Sequence, residues 1–141
     1  AHCHFKMASK QENKKLLAEQ ASQSGEEFIQ LYYETFDKRR HVVSKLYSDN
    51  SSLVWNGHHV KGNDKLNEFF VSLPTTVHNI YSMDCQPVSE RAVPGSTTIA
   101  VFVSGTVGYE DSKPKVFSQN FVLTAEGKVW KVVSDCFRIT T

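Results

Sequence analysis

Five side chains are suited to proton transfer at carbon: Asp84, Asp135, Tyr32, Tyr33 and His78. A carboxylate in an apolar pocket, beside phenolic donors, can take a proton next to a carbonyl while the phenols hold the developing oxyanion. That chemistry requires the acid and its donors to converge, and no tight acid–base pair stands out along the chain. In the stretch VWKVVSDCFRIT, Val129 to Thr140, Asp135 shares the alternation phase of Phe137 and is expected to point inward. An inward carboxylate of this kind reads as one hydrogen-bonded to backbone or to tyrosine hydroxyls. The many large aromatics predict a filled interior rather than an open pocket.

Metal and nucleic-acid chemistry are weaker readings. His58 and His59 are adjacent, and neighbours on a strand point to opposite faces, so one ion is not shared between them. His2, Cys3 and His4 could clip a metal, but they precede Met7 and read as a terminal tail. Residues 1–6 are expected to be an appended remnant, and residues 7–141 a single domain. The run Asp37 to Arg40, DKRR, could touch RNA. At a helix start it reads better as a solvated face, with Asp37 as the cap.

Composition narrows the classes further. The chain has 141 residues, 16 Lys and Arg against 15 Asp and Glu, and a formal charge of +1. One domain of this size buries a sufficient core without staples, and the near-neutral balance argues against nucleic acid as primary ligand. The 3 cysteines, Cys3, Cys85 and Cys136, form no metal or disulfide pattern. A reducing compartment follows. No run is long and apolar enough to span a bilayer, and no secretory signal is visible. A nuclear or cytosolic protein without cofactor is expected.

These residues must be positioned by few elements. Apolar residues recur every three or four positions from Leu16 to Phe36, predicting a helix. A second short helix is expected over Lys38–Tyr47, and a turn at SDNSS. Two very short strands flank Asn56-Gly57, with Trp55 as a core anchor. A third helix is expected from a cap at Asn63 to Pro74. Strands follow at HNIYSMDCQP, TTIAVFVSGTVGY, VFSQNFVLTA and the terminal stretch, rich in β-branched and aromatic residues. Short links between them favour an antiparallel meander. The class is α+β: three helices, then a strongly bent four-stranded antiparallel sheet, closing a cone.

Helices on one side cover one face of such a sheet, and the other face should then be polar. It is not. Ile99, Val101 and Val103 oppose Ala100, Phe102 and Ser104. Phe117, Gln119, Phe121 and Leu123 oppose Ser118, Asn120 and Val122. Trp130, Val132, Ser134, Cys136 and Arg138 oppose Val133, Asp135, Phe137 and Ile139. The less apolar set, moderately greasy with small polar groups, has the composition of an interface. Arg138 in that set suits a carboxylate on a partner.

The strings YYETFDKRR, LVWNG, EFF with LP, DCQPV, QNF.LTA and VWK..SDCFR occur in this order. Together they resemble the nuclear transport factor 2-like family. Within it they are most similar to the small nuclear export cofactors that heterodimerise with the messenger-RNA export receptor. The resemblance runs from about Met7 to Ile139. It implies the cone-shaped fold and sheet-to-sheet packing on a related domain of the receptor, with nucleoporin phenylalanine-glycine repeats engaged indirectly. It implies a non-enzymatic protein that shuttles between nucleus and cytoplasm and contacts neither nucleic acid nor membrane. Arg138 matches an arginine that salt-bridges an acid on the receptor. Cys136, Asn120 and Phe102 match dimer-facing positions, and Ser134, Ser118 and Ser104 share their phase. Phe137 matches a cavity-facing residue. Carriers of GDP-bound Ran in this family have a glutamate after the motif tryptophan. Here neutral Asn56 follows Trp55, although Glu110 and Asp111 lie near other acidic Ran contacts. A homodimeric Ran carrier and a ketosteroid-isomerase-like pocket enzyme are the alternatives.

Overall fold

The computed structural model describes residues 2–88, 97–110 and 112–140, with side chains from residue 14 onward. In chain order the elements are α1 (His2–Lys38), a 3-10 segment (Arg40–Leu46), β1 (Tyr47–Trp55), β2 (His58–Lys61) and α2 (Asn63–Ser72). Then come β3 (Thr76–Val88), β4 (Thr98–Tyr109), β5 (Lys115–Glu126) and β6 (Val129–Ile139). The α+β class and the cone-type arrangement of helices on a sheet are as expected.

Helix α1 begins well before Leu16. Residues 8–22 are mostly Ala, Lys, Gln, Glu and Leu with no proline, so intrinsic propensity alone continues the helix. Its backbone includes residues 2–6, expected as an irregular tail. The metal clip considered there lies outside the described side chains. The second helix is a 3-10 segment, and its N-cap is Arg39, not Asp37. Asn63 does not cap α2 either: Gly62 stands there at φ 90. The Asn63 amide instead donates to the carbonyls of Ser44 and Tyr47, tying α2 to the 3-10 segment.

The sheet has six strands in the order β2-β1-β6-β5-β4-β3. The four long strands form the expected antiparallel meander. The β1–β2 hairpin extends it, with β1 parallel to β6, so the sheet is mixed rather than antiparallel and four-stranded. The SDNSS stretch is no turn. It lies in β1, where the register to β6 shifts between Tyr47 and Ser52, and Ser51 is fully buried. Polar residues at a bulge carried the turn signature.

A second irregularity explains the broken alternation of β6. The β5–β6 register pairs Val122 with Ser134 but Leu123 with Val132. Val133 is the extra residue, and side chains before it change face. Val132, grouped by simple alternation with Cys136 and Arg138, is therefore fully buried beside Leu123, and Trp130 packs at the core margin.

The core lies between the helices and the inner sheet face. Tyr32, Phe36, Tyr47, Phe70, Phe117, Phe121 and Phe137 are each at most 2% exposed. Trp55 stacks on Phe137 and on Phe36. Gly25 lets α1 approach the sheet closely: a Cβ there would run into Cys85 Sγ.

Candidate partner-docking face

The register converts the seven residues expected at an interface into a map. One rung crosses Ser82, Ser104, Ser118 and Arg138. The next crosses Asp84, Phe102, Asn120, Cys136 and Val54. A third crosses Gln86, Ala100, Val122, Ser134 and Ser52. Side chains at alternate positions share a face, and the intervening residues Val101, Val103, Phe117, Gln119, Phe121, Asp135 and Phe137 are buried. Arg138, Cys136, Ser134, Asn120, Ser118, Phe102 and Ser104 thus lie together on the face turned from the helices. Phe102 is 45% exposed at its middle, beside a shallow hollow lined by Ser82, Asp84, Ser104, Ser118 and Asn120.

Arg138 has a fixed root. Asn56, at φ 48, accepts from the Ile139 amide through its side chain at 2.7 Å and donates its own amide to the Phe137 carbonyl at 2.9 Å. Those bonds flank Arg138 on one side, and the ladder to β5 holds the other. Among the described residues the guanidinium makes no ion pair, and it is exposed. The same bonds occupy Asn56, so the residue after Trp55 is neutral and turned to the backbone.

Alternation alone missed two members. Tyr81 sits where the β3 register shifts between Ile80 and Ser82, and it is 71% exposed with its hydroxyl accepting from Thr106. Asp84, weighed above as a catalytic acid, is exposed on the outer face opposite Phe102. Its placement needed the β3–β4 register, which no single-strand pattern supplies.

The inner acid is held elsewhere. Asp135 accepts from the Tyr47 hydroxyl at 2.5 Å and from Gln119 Nε2 at 2.9 and 3.0 Å. The Tyr32 and Tyr47 hydroxyls are 2.7 Å apart, and Tyr33 donates to Gln119 at 2.6 Å. Burial pushes the Asp135 carboxyl up to about 7, against the pull of the hydrogen bonds from Tyr47 and Gln119. Burial first, and then the nearby Asp135, raises the Tyr47 phenol. The network is the expected structural one, enclosed by aromatic rings, and Asp84 lies across the sheet from it.

His78 belongs to a third cluster. Its Nδ1 is 2.6 Å from Asp37 Oδ1, and its amide donates to Asp37 Oδ2 at 2.8 Å. Thr76 donates to Asp37 and accepts from Arg40. Burial pushes the Asp37 carboxyl up, but the bonds from His78 and Thr76 outweigh it and hold it below the usual carboxylate range. Arg40 also donates to the carbonyls of Phe36, Phe70, Leu73 and Pro74. Asp37 and Arg40 are therefore a clamp joining the end of α1 to α2 and β3, not the solvated face expected of DKRR. The His58 ring lies tilted beside Phe69, while His59, opposite Val54, is on the other face of the strand.

The chain matches known proteins in sequence and in fold. The model of the nuclear transport factor 2 (NTF2) domain matches residues 24–139. The chain belongs to the nuclear transport factor 2 family. It is 47% identical over 128 residues to human NTF2-related export protein 2, covering 88% of this chain and 90% of that one. Nuclear transport factor 2 from Cryptosporidium parvum superposes with a TM-score of 0.77 at 33% identity, covering 86% of this chain and 95% of that one. The Candida albicans Mtr2-Mex67 M domain complex gives a TM-score of 0.70 at 17% identity, covering 84% and 94%, a likeness of fold. Within the family, the sequence is nearer this export protein than this transport factor.

Proposed function

We propose that this family member is a non-enzymatic subunit of the messenger-RNA export receptor. It docks its outer sheet face on the receptor's related domain, and the pair engages nucleoporin phenylalanine-glycine repeats through the receptor while passing between nucleus and cytoplasm. The observation that carries this reading is the outer face itself. Phe102, Cys136, Val54 and Val122 form an apolar centre among small polar groups, and Arg138 stands rooted by its backbone neighbours with no ion-pair partner among the described residues. A face of this make-up is suited to a partner sheet about 10 Å away that supplies a carboxylate. Likeness to an export protein and to the fold of the Mtr2-Mex67 M domain complex supports the same reading. Asp84 and Asp135, the two acids weighed for proton transfer, lie on opposite faces of the sheet and do not converge.

Arg138→Asp tests it. Removing one side of a buried charge pair costs about 3–5 kcal/mol, so copurification with the receptor should drop by more than a hundredfold while thermal unfolding of the isolated chain stays within about 2 °C. Reversal of the receptor's matching acid to a base should restore part of the binding. Undiminished copurification of the variant would refute the assignment.

A further inference from the structure

The parallel ladder between β1 and β6 ends one residue short of Arg138. Its last rung pairs Trp55 with Phe137, whose rings stack with centroids 3.8 Å apart. On the other side of β6 the antiparallel ladder runs on, pairing Ser118 with Arg138 and Phe117 with Ile139. Arg138 therefore has a strand on one flank only. It also lies next to the end of β6 at Ile139, and strand ends fray unless their backbone is held.

Asn56 takes the place of the missing rung. A residue in a parallel ladder donates to the carbonyl before its partner and accepts from the amide after it. Asn56 does both around Arg138. Its amide donates to the Phe137 carbonyl at 2.9 Å, and its side-chain oxygen accepts from the Ile139 amide at 2.7 Å. The side chain supplies the acceptor because the main chain has turned off into the hairpin, at φ 48 for Asn56 and φ 85 for Gly57. Few residue types can do this. Positive φ favours Gly, Asn and Asp; Gly has no acceptor, and Asp would bring a negative charge to the rung of Arg138.

A held backbone matters to a long side chain. An arginine on a frayed strand end must be ordered as it meets a carboxylate, and that cost is subtracted from affinity. With both flanking peptides already bonded, part of the cost is removed before the partner arrives. We propose that Asn56 is a positioning residue for the partner contact: it completes the ladder opposite Arg138 and so sets how tightly that arginine engages an acid on the partner. This rests on the reading of Arg138 as a docking contact, and adds that the strength of the contact is tuned from the β1–β2 hairpin.

Calorimetric titration of the chain with the receptor's related domain is the experiment, with Asn56→Gly as the variant. Glycine keeps the positive φ and the turn and removes only the acceptor. Affinity should fall about fivefold, and hydrogen exchange at the Ile139 amide should quicken. In an Arg138→Gln background the same change should alter affinity by less than about twofold, because Asn56 acts through the guanidinium. A merely structural role would lower affinity equally in both backgrounds, and that additive result would overturn the proposal. A wild type that binds the receptor, with Asn56→Gly binding as tightly, would sink the role of Asn56 alone. A wild type that fails to bind would sink the export reading, and this inference with it.

Discussion

Trp55 and Phe137 are register partners across the parallel β1–β6 pair, and their rings lie face to face with centroids 3.8 Å apart and planes 13° from parallel. Phe117 continues the stack from β5 at 5.3 Å and Phe36 from α1 at 5.9 Å. One column of rings therefore ties the added hairpin, the meander and the long helix together. It also stands directly behind Arg138. Phe137→Ala should cost about 3–5 kcal/mol in denaturant unfolding, through lost burial and a cavity between stacked rings. A loss under about 1 kcal/mol would mean that the column is not what joins β1 to β6.

Gly25 of α1 lies against Cys85 of β3, with space for a hydrogen but not a methyl group. Helix propensity favours Gly25→Ala by about 1 kcal/mol, and the clash with Cys85 Sγ opposes it. The variant should be less stable than wild type, by about 1–3 kcal/mol. In a Cys85→Ala background the same change should become neutral or stabilising. A double-mutant cycle in urea measures the coupling; additive effects would remove the contact from the account.

Asp135 makes stability depend on pH. Its folded-state value of about 7 lies above the ordinary carboxylate range. The stabilisation is therefore complete below about pH 4 and is lost as pH rises through about 7, because the folded state holds a proton that the unfolded chain releases. Asp37 acts in the opposite sense, its lowered value giving stability that is lost only as pH falls below the usual carboxylate range. Between about pH 4 and 8, wild type should therefore lose a few kcal/mol relative to Asp135→Asn. Parallel stability curves for the two proteins across that window would contradict a buried, raised carboxyl.

Arg40 donates to four backbone carbonyls, and its loss should be felt at the end of α2. Arg40→Ala leaves the carbonyls of Phe70 and Leu73 without these donors and should cost about 2–3 kcal/mol. Arg40→Lys should recover less than half, since one ammonium cannot span the fork. Amide exchange at Leu73, which donates to Phe70, should quicken in both; unchanged exchange would show that the clamp carries no load.

Local pattern made much of this legible. The amphipathic period of α1, the β-branched runs and the Asn56-Gly57 turn sufficed for the helix, the meander and the hairpin. Alternation placed Phe102, Ser104, Ser118, Asn120, Ser134, Cys136 and Arg138 on one face correctly. What escaped depended on pairs distant in sequence. The bulge at Val133 reversed Val132 because an extra residue is invisible without the facing strand. The parallel partnership of β1 with β6 buried Ser51 and turned an apparent loop into strand. Asp37 and Asn63 had the composition of caps, but long-range partners His78, Thr76, Ser44 and Tyr47 claimed their side chains. Asp84 could be read as an acid from sequence, yet the side of the sheet it occupies comes only from its register with Phe102.

The central claim is that the sheet face bearing Phe102 is covered by a related fold. Side-chain oxidation footprinting of the receptor complex, read against the isolated Arg138→Asp chain, tests it most directly. Tyr81, Phe102 and Cys136 should become protected, while Leu16, Leu17 and Val71, exposed on the helices, should oxidise at the same rate in both. Unchanged oxidation of Phe102 and Tyr81, with protection at Val71 instead, would contradict the account.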